Sequence, residues 1–345
     1  MSHSTVPRTR AEADTTKKTP VASGDATGSR KGKPGGGKLS LRLRFRRDRV
    51  LLLMTLPAIL LVLLFNYVPI LGNVVAFQEY DPYISDNGIV SMLHSPWVGL
   101  ENFQRIFEDS AFWNSVQNTL VLFVLQLVLY FPVPILLALL INSVVRPRVR
   151  AVAQAILYLP HFFSWVLVVA VFQQLLGGAG LLSQLLRDHG YDGLSLMTDP
   201  ETFKFLVTAQ SVWKDAGWGI IVFLAALASV SPDLYEAAAM DGANRWRRMW
   251  HVTLPALRPV IALLLVLRVG DALTVGFEQI LLQRDAVGPG AAEVLDTFVW
   301  WNGVRNQDFG YAAAAGLVKG VISLGLVLIA NKVAHLMGEQ GVYKK

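Results

Sequence analysis

The 345-residue chain contains no cysteine, which removes disulfide frameworks, thiol catalysis and cysteine-ligated metals from consideration. Charge is scarce too: 16% of the residues are Asp, Glu, Lys or Arg, against 53% hydrophobic. Soluble domains carry about 25% charge, so this composition points to lipid. Several motifs of enzyme chemistry are also missing. There is no HExxH, no Gly-x-Ser-x-Gly and no GxxxxGK[ST], so the chain has no zinc-protease helix, nucleophile elbow or phosphate-cradling loop.

The net charge of +6 acquires meaning only from where the basic residues lie. Residues 1–49 are rich in Pro, Gly, Ser, Thr, Lys and Arg, as expected of a disordered tail. Its last stretch sets Arg42, Arg44, Arg46, Arg47 and Arg49 directly before a long apolar run. That placement suits an anionic membrane surface rather than nucleic acid. The apolar run offers no small-residue cleavage site, so it reads as an uncleaved first span.

A helix crossing about 30 Å of hydrocarbon needs about 20 apolar residues. Six such runs occur, approximately Val50–Phe77, Ser115–Ile141, Ala151–Leu176, Phe205–Val230, Pro259–Leu282 and Tyr311–Ala330. The loops between them alternate in charge. Arg146, Arg148 and Arg150 follow the second run, and Arg245, Arg247, Arg248 and Arg258 follow the fourth, while Lys332, Lys344 and Lys345 end the chain. The loop after the first run is acidic, with Glu79, Asp81, Asp86, Glu101, Glu108 and Asp109 against Arg105. The positive-inside rule then places both termini in the cytoplasm, which an even number of spans allows. Pro57, Pro132, Pro134 and Pro160 should kink their helices. Ala312, Gly316 and Gly320 form a small-xxx-small face that lets another helix approach.

The loop after the fourth run reads SPDLYEAAAMDGANRWRRMWHVTLPALRP. Ser231 caps a helix, Pro232 suits its first turn, and Asp233 and Glu236 lie near the positive end of its dipole. Gly242 permits a left-handed turn to end it, and Arg245 to Trp250 reads as a second short amphipathic helix before Pro255 opens the next span. The product is a helix, sharp turn, helix element with a ridge of small side chains and one exposed carboxylate.

This loop resembles the mark of ABC importer permeases: EAA, three residues, Gly, nine residues, then Ile-x-Leu-Pro. Here Glu236-Ala237-Ala238, Gly242 and Val252-Thr253-Leu254-Pro255 stand at that spacing, with Val252 in place of Ile. The segments WVGLENF from Trp97, YLPHFFSWV from Tyr158, WKDAGWG from Trp213 and VLDTFV from Val294 are similar to sugar-type permeases of the maltose and glycerol-phosphate group, most of all the branch linked to complex and uronic oligosaccharides. The resemblance implies an all-α, six-helix membrane bundle of the type I importer class (MetI-like), working as half of a permease pair. Its parts would be a basic tail (1–49), a first span with its outer loop (50–113), the transmembrane domain (114–331) containing the coupling loop 231–258, and a short tail (332–345). The implied partners are a second permease subunit, two ABC ATPases that bind the ATP, an extracytoplasmic substrate-binding protein, a sugar and the surrounding lipid. Nucleic acid is not among them, and the chain itself is neither an enzyme nor the holder of a cofactor. Glu236 would pair with a basic residue of the ATPase, Ala237 and Ala238 would allow close docking, Gly242 would make the bend, and Leu254 and Pro255 would close the motif.

Six charged residues remain inside the runs: Lys214, Asp215, Arg268, Asp271, Glu278 and Lys319. Charges in lipid cost several kcal/mol and should face a cavity or one another. On one continuous helix Arg268, Asp271 and Glu278 share a side. They read either as a polar stripe lining a translocation path with Lys214, Lys319, Trp213 and Trp218, or as an Arg268–Asp271 ion pair with the tryptophans as interface anchors. Two other classes stay open on the residues alone. An ion-coupled carrier would use the buried acids, but the runs show no internal repeat. A membrane enzyme would use His161, which by itself reads as a hydrogen-bonded structural residue.

Overall fold

A computed structural model describes residues 49–336, so the tail arginines before Arg49 and the terminal Lys344 and Lys345 lie outside the described residues. Among the described residues six helical runs are long and apolar enough to cross a membrane: Arg49–Phe77, Ser110–Ser143, Trp165–Asp188, Phe203–Ala228, Arg245–Gly270 and Phe309–Leu336. No β-strand occurs among the described residues. The expected all-α class and the six spans are therefore met.

By internal contact the chain divides into two units, Met1–Leu63 and Leu64–Lys345. The described part of the first is the helix Arg49–Val62, with Pro57 inside it and every side chain exposed. In the second unit three apolar clusters hold the helices together. One joins Ala76, Ile106, Phe112, Leu295, Phe298, Tyr311 and Ala315. Another joins Leu122 of the second span and Phe203 and Val207 of the fourth to Val275, Ile280 and Val294. The third packs Ala138 and Ile141 against Ile220, Phe223, Leu224 and Leu257. Each apolar side chain removed from lipid or water gains dense dispersion contacts rather than free volume.

Two spans are broken where hydropathy reads continuously. The third run, expected over Ala151–Leu176, is a helix Pro147–Tyr158, a 3-10 turn Leu159–Phe162 and a new helix Trp165–Leu176. Pro160 has no amide to donate, and Ser164 starts the second helix by accepting from the Leu167 amide at 3.3 Å. The fifth run, expected over Pro259–Leu282, ends at Gly270. Its chain turns through Asp271 to Gly276, where Gly276 has φ +56°, before a short helix Phe277–Leu281. At its other end the helix begins earlier than expected, at Arg245. In the second span a π turn, Gln126–Tyr130, precedes Pro132 and accommodates the hydrogen bond that Pro132 cannot make. On the small-residue face of the sixth span, Ala312 is buried against Gly303, whereas nothing described approaches Gly316 or Gly320.

Candidate functional site

Residues 231–258 fold as two helical limbs about a glycine turn. Ser231 is the N-cap, its Oγ accepting from the Asp233 amide at 3.3 Å, and Pro232 takes the first turn of the helix Pro232–Met240. The helix ends in a Schellman turn. The Ala243 amide donates to the Ala238 carbonyl at 2.9 Å, the Gly242 amide donates to that of Ala239 at 3.0 Å, and Gly242 has φ +74°. A side chain there would meet nothing, so backbone conformation alone demands glycine.

Asn244 then caps the second limb by accepting from the Arg247 amide at 2.8 Å. The separate short helix expected over Arg245 to Trp250 is not separate. Helix Arg245–Arg248 passes through a π turn, Met249–Thr253, into Leu254–Gly270, so the aromatic and basic run forms the first turns of the fifth span. Pro255 falls in the first turn after the π segment, where its missing amide breaks nothing. The Tyr235 hydroxyl meets Thr253 Oγ1 at 3.2 Å and fixes one limb against the other. Glu236 and Ala237 are exposed and Ala238 is half-buried, while Leu254 and Pro255 form the partly buried base. Leu234, Met240, Trp246 and Trp250 are exposed beside them.

The buried charges are arranged differently from the expected stripe. Asp271 is the C-cap residue of the fifth span and Glu278 lies on the short helix beyond the break, so Arg268, Asp271 and Glu278 do not share one helix face. Asp271 and Glu278 are exposed, and no ion pair joins Arg268 to Asp271. Arg268 instead donates to the Gln126 side chain and lies 5.7 Å from the centre of the Tyr130 ring, both on the π turn of the second span. Lys319 pairs with Asp296.

Lys214 donates to the His161 carbonyl at 2.8 Å, lies 3.5 Å from Asp215 and sits over the Trp165 ring. Asp215 also meets His161 Nδ1 at 2.9 Å, and the His161 ring stacks on Trp218 at 4.6 Å. These groups clamp the 3-10 break of the third span to the fourth. Trp213 packs against Phe172.

Reading the sequence for charges missed two buried features. Gln279 Nε2 donates to Gln210 Oε1 at 2.7 Å, Gln283 Nε2 donates to the same oxygen at 3.1 Å, and Ser211 Oγ donates to Gln279 Oε1 at 3.1 Å. This network ties the fourth span to the segment after the Gly270 break. Nearby, Arg284 is paired with Glu293 and lies 3.8 Å from the centre of the Trp301 ring. Among the described residues no group of His, Asp and Glu could hold a metal ion.

Residues 130–337 match the family described as binding-protein-dependent transport system inner membrane component. The chain belongs to that family. The permease is 43% identical to the polygalacturonan/rhamnogalacturonan transport system permease protein YteP of Bacillus subtilis, over 88% of this chain and 93% of the relative. It is 38% identical to the protein LplB of the same organism, over 89% and 95%. Among solved structures, a chain of a bacterial alginate ABC transporter, crystallised with an alginate pentasaccharide-bound periplasmic protein, superposes with a TM-score of 0.79. It is 36% identical and covers 88% of this chain and 99% of that one. The permease is thus a multi-pass transport subunit of an ABC importer and not an enzyme. The matched region contains the whole 231–258 element and all six charges inside the apolar runs.

Proposed function

We propose that this permease is one half of the membrane channel of an ATP-driven importer of acidic oligosaccharides. The observation that supports the substrate class is a convergence. The relative at 43% identity is named for polygalacturonan and rhamnogalacturonan, and a solved structure at 37% identity is described as importing the acidic polysaccharide alginate. All three polymers contain sugar acids. In this reading an extracytoplasmic binding protein delivers the sugar, a second permease completes the path, and two ATPase subunits bind the ATP. Their closure moves the helix Pro232–Met240, where Glu236 meets a basic ATPase residue, Ala237 and Ala238 allow close approach and Gly242 holds the bend over Leu254 and Pro255. The working domain is residues 114–331. The path residues in this reading are Arg268, Asp271 and Glu278; Lys214 and Lys319 are engaged by acids, Trp213 by Phe172 and Trp218 by His161.

The proposed orientation puts the 231–258 element and both termini in the cytoplasm. The absence of cysteine makes this simple to test. Met240→Cys and Tyr83→Cys, at residues 89% and 76% exposed, should react with a membrane-impermeant maleimide from opposite sides, Tyr83→Cys in intact cells and Met240→Cys only in inverted vesicles. Labelling of Met240→Cys in intact cells reverses the orientation. The substrate class is tested by uptake in cells carrying the complete importer: a labelled oligogalacturonate should accumulate only with this permease present, and an unlabelled neutral oligosaccharide should not compete. Competition by the neutral sugar at equal concentration would remove the acidic assignment.

A further inference from the structure

The basic side chains of Lys214, Arg268, Arg284 and Lys319 are wholly or partly enclosed among the helices, and the structure treats one of them unlike the others. Lys214 has Asp215 at 3.5 Å, and Lys319 has Asp296. Arg284, buried beside the bundle, has Glu293. Arg268 lies about 15 Å beyond Arg258 along the same helix, at 1.5 Å per residue, and makes no ion pair with any described acid. Asp215 is already held by Lys214 and His161, and Asp271 is exposed. The partners of Arg268 are neutral: the amide oxygen of Gln126 and the ring face of Tyr130. Its Nε is enclosed with no acceptor among the described residues.

An uncompensated cation at this depth costs several kcal/mol, and elsewhere this chain neutralises such a charge with a carboxylate. Among the described residues no carboxylate does this for Arg268. Its cradle has the chemistry of a site that presents a guanidinium rather than one that merely stores it. Gln126 and Tyr130 are the two ends of the π turn that precedes Pro132, and such turns are frequent at functional sites. The planar guanidinium fork matches a carboxylate with two parallel hydrogen bonds.

We propose that Arg268, presented by Gln126 and Tyr130, binds the carboxylate of the passing sugar acid inside the membrane and so selects for acidic substrates within the permease itself. This rests on the acidic-oligosaccharide reading above. It adds a second point of selection, separate from the binding protein.

The test uses the complete importer in proteoliposomes with its binding protein, and two probes: a labelled oligogalacturonate and the same oligomer with its carboxyls methyl-esterified. Arg268→Gln should lower uptake of the free acid at least about tenfold, the loss of one charge-assisted contact, and should lower uptake of the ester far less. Assembly is read separately, as the ATPase and second permease that co-purify. Gln126→Glu keeps Arg268 but gives it an internal carboxylate. It should assemble as well as wild type and still lose free-acid uptake, which covers the case in which Arg268→Gln does not assemble. Equal loss of both probes by an assembled Arg268→Gln importer, or full acid uptake by Gln126→Glu, would each overturn the proposal and leave the importer reading intact. Wild-type importer that takes up neither probe would instead refute the acidic-substrate reading on which the proposal rests.

Discussion

Gly217→Ala should leave little assembled permease, although it adds one methyl group to a 345-residue chain. In the fourth span, a Cβ at Gly217 would stand 1.8 Å from the Leu157 carbonyl oxygen and 2.5 Å from its carbon, and both atoms are backbone. No rotamer change relieves that contact. The crossing cannot simply widen, because Lys214 holds the His161 carbonyl, Asp215 holds the His161 ring and Trp218 stacks on it, all within the same turn of helix. Overpacking typically costs about 1–3 kcal/mol, and a clash with fixed backbone belongs at or above the top of that range. The yield of monodisperse protein on size exclusion measures it, with Gly316→Ala as the control, since nothing lies within 4 Å of a Cβ there. A Gly217→Ala variant that purifies like wild type would show that the third and fourth spans cross more loosely than described.

The second large effect is functional. Glu236→Lys should reduce sugar uptake to background while leaving the amount of permease in the membrane unchanged. Glu236 is exposed, and its side chain forms no ion pair among the described residues. Its place on the helix Pro232–Met240, between the cap at Ser231 and the turn at Gly242, leaves it open to the ATPase contact proposed above. Reversing one charge at a closely packed interface sets like charges together, which costs several kcal/mol. Retention of the ATPase subunit and uptake should therefore fall together. Uptake that survives the reversal would move the docking contact to the exposed Leu234, Met240 and Trp246.

Much of this architecture was legible in the residues because it is local. Six apolar runs announce six spans, and Ser231, Pro232 and Gly242 each carry a backbone requirement that the fold meets at that position. Breaks inside spans were less legible. A hydropathy window averages across Pro160 and across Asp271 to Gly276, since the residues on either side are equally apolar. The arrangement of buried charge was hidden for a different reason. Lys319 was visible as a charge in a span, but its partner Asp296 reads as a loop residue until the fold brings the two together from 23 positions apart. Gln210, Gln279 and Gln283 carry no charge and raised no signal, though intramembrane glutamines must also find partners. Arg268 was singled out by the sequence with the wrong companion. The helix ends too soon to present Glu278 on its face, and Gln126 and Tyr130, outside every motif, are what it meets.

We propose that this chain moves sugar only as part of a larger machine that burns ATP elsewhere. The most direct test is purification of the tagged permease from native membranes in mild detergent, with identification of every retained protein by mass spectrometry and reconstitution of what is recovered. An ATP-binding subunit and a second permease should come with it, and transport in vesicles should require both ATP and an added binding protein. A chain recovered alone that transports sugar by itself, without nucleotide, would contradict it.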